Sequence, residues 1–326
     1  PVDVFADLGV KWTQYAEHPK LSYFSSSGGL DLKADNLTGR ALRGLGLTVS
    51  EHYYYTKDYP TFAALEGPNP AFGGPNPIAS GGIQQDRVTT FGNVTSATAS
   101  YVMSPRAKVL GGYTNARTQY IGGTTSLVSS TIDIGTAGLE YALTPITTLL
   151  SGYTYSHFSF GGAGSEETHA ADVGARHQFM KDWSVDGRVG GTYLPSIDRL
   201  IYNFNVGTTK TFSATQVSAR GIRAVSTSGG LAAALSIRHA AQLQVSHQLT
   251  PALTATLAGN YGTAETVGSN TVDVKSYGAS AGIKYALKRW ADLFASYSYF
   301  KQDSTGAVGL SVNRTQVTVG IILTWQ

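Results

Sequence analysis

The feature that most constrains this chain is a period-two alternation sustained over stretches far longer than an ordinary strand. In the last of them Val317, Val319, Ile321, Leu323 and Trp325 share one parity. Gln316, Thr318, Gly320 and Thr324 share the other, with Ile322 as the exception. Leu235, Ile237, Ala241, Leu243, Val245 and Leu249 alternate with Ser236, Arg238, Gln242, Gln244, Ser246 and Gln248. Tyr277, Ala279, Ala281, Ile283 and Tyr285 alternate in the same way with small polar residues. Alternation of this kind places one face of a strand against apolar surroundings and the other against polar ones.

Strand length separates a soluble sandwich from a membrane barrel. The alternating stretches run for about 10 to 15 residues, whereas soluble strands average about 5 to 6 and a tilted membrane strand needs about 9 to 11. Only 14% of the 326 residues are charged, against about 25% in ordinary soluble domains. The recurrence of Tyr, Val, Leu and Ile excludes a disordered chain. Apolar runs such as Leu231 to Leu235 fall far short of the roughly 20 residues of a spanning helix. A membrane chain without such helices must close its sheet, because each backbone N–H and C=O needs a partner.

A recurring turn divides the chain. Tyr101-Val-Met-Ser-Pro105, Tyr141-Ala-Leu-Thr-Pro145, His247-Gln-Leu-Thr-Pro251 and Tyr285-Ala-Leu-Lys-Arg289 share one shape, with His177-Gln-Phe-Met-Lys181 a looser copy. Each has a ring, a spacer, an apolar residue and a turn, and the spacing of about 40 residues corresponds to one hairpin. A further turn is expected at Gly207-Thr-Thr-Lys210. Longer segments at 56–86, 121–129, 161–168, 222–231, 264–270 and 302–311 alternate with these turns, the asymmetry of bacterial barrels. The fold expected is therefore all-β: one transmembrane antiparallel up-and-down β-barrel domain over 1–326. It has about sixteen strands, or fourteen if the poorly alternating 195–231 holds fewer.

The terminal strand Thr315-Gln-Val-Thr-Val-Gly-Ile-Ile-Leu-Thr-Trp325 resembles the C-terminal signal that the barrel-assembly machinery of bacterial outer membranes recognises, with Trp325 as its aromatic. The Tyr-x-Leu-Thr-Pro turns resemble those of the β-barrel porin group found with bacterial exopolysaccharide genes. That resemblance implies an outer-membrane location and passage of solutes or polysaccharide. Because Pro1-Val-Asp-Val4 already reads as strand, a mature chain whose signal peptide has been removed is expected.

No metal-spaced His/Cys set accompanies the seven His residues. His177 and His247 stand at the ring position of the turns, and Ser156 and His157, being adjacent, point to opposite faces. No enzyme, cofactor or metal is therefore expected, and a net charge of +3 without a Lys/Arg cluster does not point to nucleic acid. The lumen is expected to carry Asp7, Lys11, Asp31, Lys33, Glu140, Asp172, Arg176, Asp186, Arg188, Arg199, Arg238 and Lys284. Opposite charges two or four residues apart on one strand (Asp7/Lys11, Asp172/Arg176, Asp186/Arg188) are expected to neutralise one another. An excess from Arg176, Arg188, Arg199 and Arg238 would favour anions.

The expected function is a porin-like channel for passive or partner-gated passage of hydrophilic solutes or polysaccharide. The alternative is a structural or sheath barrel filled or capped by a partner. Expected partners are outer-membrane lipid, lipopolysaccharide and the assembly machinery, with a homo-oligomer or a periplasmic or extracellular protein as further candidates. The Pro/Gly-rich extracellular loop 56–86, with Tyr59, Phe62 and Phe72, is read as a surface loop or as a constriction or docking element. If it constricts, deleting 61–80 raises single-channel conductance; unchanged conductance removes the constriction.

Overall fold

The computed structural model describes residues 2–13, 22–35, 44–57, 88–122, 128–162, 164–227, 235–267, 272–306 and 310–325. These residues form sixteen strands: β1 (Val2–Thr13), β2 (Tyr23–Asp35), β3 (Leu45–Thr56), β4 (Thr89–Ser104), β5 (Ala107–Ile121), β6 (Ser130–Thr144), β7 (Thr147–Phe160) and β8 (Gly164–Met180). They continue with β9 (Trp183–Leu194), β10 (Arg199–Thr211), β11 (Thr215–Thr227), β12 (Leu235–Thr250), β13 (Leu253–Thr266), β14 (Val272–Lys288), β15 (Ala291–Gly306) and β16 (Leu310–Trp325). Every strand pairs antiparallel with its sequence neighbours, and β1 meets β16 at Ala6↔Trp325 and Asp7↔Thr324. The result is a closed up-and-down barrel. Trp325 thus sits at the closing seam by its backbone register.

The recurring turns show why their sequence takes this form. Ser104 Oγ accepts hydrogen bonds from the N–H groups of Arg106 (3.3 Å) and Ala107 (3.1 Å). Thr250 Oγ1 does the same for Ala252 (3.3 Å) and Leu253 (3.1 Å), and Thr144 Oγ1 for Ile146 (3.3 Å). The hydroxyl takes the donors the turn leaves over, while the following Pro supplies a fixed φ and no donor. The apolar residue of each repeat has a separate task. The ladder slips by one residue at 102/104, 142/144, 178/180, 248/250 and 286/288. The residue passed over is Met103, Leu143, Phe179, Leu249 or Leu287, and all five are exposed apolar side chains. A bulge at each turn therefore turns an apolar anchor outward.

Two sequence expectations change, and the strand count stands at sixteen. Gly207, Thr208, Thr209 and Lys210 form no turn: they lie inside β10, and the chain reverses at 212–214, where the Phe212 N–H bonds the Thr215 carbonyl at 2.6 Å. Gly207 is required by the inner wall, where a Cβ would meet Arg220 Nη2 at 3.0 Å and Asp186 Oδ1 at 3.1 Å. With β10 and β11 both formed, 195–231 holds two strands, so the count is sixteen. The acidic 165–167 segment is likewise not a loop tip. It extends β8, with Glu167 opposite His157. Of the long loop 56–86, Thr56 ends β3 and residues 58–86, with Tyr59, Phe62 and Phe72, lie outside the described residues.

Register fixes one facing for each parity around the whole barrel. Val173, Val189, Leu257, Val319 and Ile321 are each more than half exposed on one face, as lipid-facing residues of a barrel should be. The other face carries the Arg–Asp and Arg–Glu pairs of β6–β11 and the Lys284–Asp292 pair. Close approach of β8 and β9 depends on two inward glycines: a Cβ at Gly174 would stand 2.1 Å from the Gly187 carbonyl oxygen, and one at Gly190 2.0 Å from that of Ala171. Gly174→Val forces the two backbones apart. The expected cost is about 1–3 kcal/mol or more, read as a lower unfolding temperature of the heat-shifted band on an unboiled gel; Gly221→Ala, where a Cβ meets nothing within 4 Å, leaves it unchanged.

Candidate functional site

The inner wall is the face on which the candidate charges gather, and strand register decides which of them meet. Arg188 Nη1 bonds Asp172 Oδ1 at 3.1 Å across β9 and β8. Arg220 on β11 reaches over β10 to Asp186 Oδ2 on β9 at 3.3 Å and bonds Asn205 Oδ1 on β10 at 3.0 Å. Arg176 on β8 spans β7 to reach Glu140 Oε1 on β6 at 4.0 Å, and Lys284 on β14 holds Asp292 on β15 at 3.2 Å. The Asp172/Arg176 and Asp186/Arg188 pairs expected along single strands are not the pairs formed, and the Lys11 side chain of the Asp7/Lys11 pair lies outside the described residues. Side chains two residues apart on a strand stand parallel, whereas an Arg lying flat along the wall reaches one or two strands sideways.

Glycine makes the bed for these bridges. A Cβ at Gly152 would stand 3.2 Å from Asp172 and 3.3 Å from Arg188, and Gly207 occupies the same place beneath Arg220 and Asp186. Gly207 removes the side chain of the strand between Arg220 and Asp186, and Gly152 leaves room on β7 beside the β8–β9 pair. Arg220 is not among the charges expected in the lumen; the turn expected at 207–210 displaces the start of its strand from Thr215. The signal was present in the inward parity it shares with Ser218 and Ser226.

The remaining candidates are scattered. His52 Nε2 lies 3.2 Å from Asp31 Oδ1, and both His52 and Asp7 lean over Gly29, whose Cβ would stand 2.2 Å from His52 Nδ1 and 2.4 Å from Asp7 Oδ1. This acid–imidazole group on β1–β3 was not foreseen. Lys11 is placed only by its backbone register opposite Ser25. Arg199 is exposed at the start of β10. Arg238 is inward but buried, at 4% exposure. The expected cationic excess therefore shrinks: Arg176 and Arg188 are paired, Arg238 is shielded, and Arg199 stands at the rim.

A second unforeseen feature is apolar. Ala116, Ile132, Phe158, Phe160, Leu194 and Ile201 are inward by register on β5–β10, toward the rim of the longer connections, and are buried there, Leu194 to 1%. On the outer wall, His177 and His247 share hydrogen bonds with Thr147 (2.8 Å) and Thr215 (2.7 Å) beside the turns. His177 also packs edge-on to Phe179, which stacks on Trp183. His157 and Ser156 point to opposite faces, and His157 faces Glu167 at 3.5 Å.

A closed, tilted barrel with an apolar outer wall and a polar, ion-paired inner wall defines an outer-membrane type of β-barrel with porin-like character. Residues 194–324 match the family described as "Putative beta-barrel porin 2". Among solved structures, OmpT of Vibrio cholerae is similar at 10% identity and TM-score 0.44, over 99% of this chain and 97% of that one. A bacterial polysaccharide outer membrane secretin is similar at 8% identity and TM-score 0.46, over 99% and 98%. The outer membrane channel DcaP of Acinetobacter baumannii is similar at 12% identity and TM-score 0.45, over 99% and 97%. No curated protein sequence matches the chain.

Two outcomes follow from this wall. Asp186→Asn leaves Arg220 without its acid and costs about 1–3 kcal/mol, and adding Arg220→Gln recovers part of that loss in a double-mutant cycle of urea unfolding. At the turn rim, the Lys210 ammonium 3.0 Å from Asp182 holds that carboxyl below its ordinary value. Its contribution is present above the ordinary carboxylate pKa and fades as pH falls through the lowered value. Lys210→Met flattens the acid limb of stability between about pH 5 and pH 2.

Proposed function

We propose that this chain is an outer-membrane, porin-like channel that passes hydrophilic solutes, with uncharged carbohydrate, including polysaccharide, as the class its wall suits best. The observation that carries this reading is the chemistry of the inner wall on β12–β16. Gln242, Gln244, Thr254, Thr256, Ser280 and Ser298 are inward there by register. Hydroxyl and amide groups offer both donors and acceptors to a sugar that has lost part of its water. On β6–β11 the charges are largely paired with one another, so the wall is hydrated without a strong field of one sign. The resemblance of the turns to the porin group found with exopolysaccharide genes supports the same class of solute.

The buried apolar cluster of Phe158, Phe160, Leu194 and Ile201 on the inner wall favours a second reading, a barrel capped or filled near that rim and closed until a partner acts. Planar-bilayer recording on the purified chain separates the two. The first reading expects ohmic steps with a K⁺/Cl⁻ permeability ratio within about threefold of unity, and liposomes that swell in neutral oligosaccharide. A folded, heat-shifted protein that inserts without conducting supports the capped barrel and overturns the open channel.

A further inference from the structure

The outer wall is not uniform around the barrel. On β14 the outward residues Tyr277, Ala279, Ala281, Ile283, Tyr285 and Leu287 form an unbroken run. At about 3.3 Å per residue and a tilt of about 40° this run spans about 25 Å along the membrane normal, the full height of a hydrocarbon band. On β3 the outward apolar run is Leu45, Leu47 and Val49, and on β5 it is Val109, Gly111 and Tyr113. Each of these spans only about 10 Å by the same measure.

Directly beyond them, Glu51, Thr95, Asn115, Asp133, His157 and Glu167 face outward, each opposite the next in register across β3 to β8. They are bonded to one another. Asn93 and Thr95 donate to the two carboxylate oxygens of Glu51. Tyr113 donates to Asp133, as does Asn115 at 2.8 Å. Lipid acyl chains cannot serve such a belt, and no water reaches it at that depth. Glu51 stands about 15 Å from Leu45 by the same measure, inside the band that β14 spans, whereas lipopolysaccharide offers its charged groups only above that band.

We propose that the outer wall of β3–β7 is an interface between copies of this chain in the membrane. The patch is self-complementary in charge. Glu51 has hydrogen-bond donors but no cation, and Arg117, exposed on β5, has no carboxylate partner among the described residues. A second copy turned onto this wall presents each sign with the other, as a repeated interface in a closed ring or dimer must. Tyr113, Tyr153 and Tyr155 flank the belt and supply the rigid aromatic surface that interfaces favour. The proposal rests on the membrane reading given above.

The test places a photo-crosslinking residue on the belt, Thr95→benzoylphenylalanine, and on the far wall as a control, Leu257→benzoylphenylalanine, in the full chain irradiated in cells. The Thr95 variant is expected to give an adduct at twice 34.4 kDa containing peptides of this chain alone, and the Leu257 variant none. A second arm uses Glu51→Leu with Asp133→Leu, which removes the polar groups and suits lipid. It is expected to convert the oligomer on a native gel to monomer while the heat-shifted band persists. Adducts only to lipopolysaccharide or to a different protein, or a Leu double variant that keeps the wild-type assembly, overturn the interface. Loss of outer-membrane fractionation by the unmodified chain overturns the membrane reading instead, and the proposal with it.

Discussion

Everything in this structure follows from the need to pair each backbone N–H and C=O inside a layer that offers no water. A sheet meets that demand only when its last strand returns to its first, here at Ala6↔Trp325 and Asp7↔Thr324. Closure then fixes the rest. Neighbouring strands must be antiparallel and joined at alternate rims, so turn chemistry recurs at one rim with Ser104, Thr144 and Thr250 each absorbing the donors of a reversal. The bulge beside each turn lets one residue leave the ladder without breaking closure.

Closure also creates two walls with opposite rules. Inside, charges are tolerated because they are hydrated or paired, and pairing runs around the barrel rather than along it. Arg220 reaches Asp186 over Gly207, and Arg188 meets Asp172 beside Gly152. Such bridges brace the wall laterally, in the same inter-strand direction as the ladder hydrogen bonds. Their individual contribution to stability is modest while they remain in contact with water, and losing one partner costs more than the pair contributes. Outside, only the height of the apolar run matters, and it differs sharply between β14 and β3. A uniform lipid shell would favour equal heights, so the inequality marks a direction around the barrel axis.

Much of the fold was legible in the residues. Alternation through Val317, Val319 and Ile321, the Thr-Pro turns, and the contrast of short turns with long connections lead to the strand order seen. What failed locally did so for tertiary reasons. Gly207-Thr-Thr-Lys210 reads as a turn because Gly usually marks one, yet its glycine serves an ion pair brought in from β11 and β9. Ser165-Glu-Glu167 reads as a solvated tip, yet Glu167 stands beside His157 on β7. The inward parity of Asp172, Arg176, Asp186 and Arg188 could be read one strand at a time. Their partners could not, because a partner two strands away is set by register.

The sequence by itself determined a closed, membrane-spanning sheet, since period-two alternation over such lengths has no other stable home. It also determined which residues face inward, because parity on a strand cannot change without a bulge. Only the tertiary structure decided which charges neutralise which, that Arg238 is buried while Arg199 is exposed, and that Phe158, Phe160, Leu194 and Ile201 gather on the inner wall. It alone aligned Glu51, Thr95, Asn115 and Asp133 into one belt outside. These are contacts between residues tens of positions apart, and their meeting depends on stagger between strands, which the alternation within any single strand does not encode.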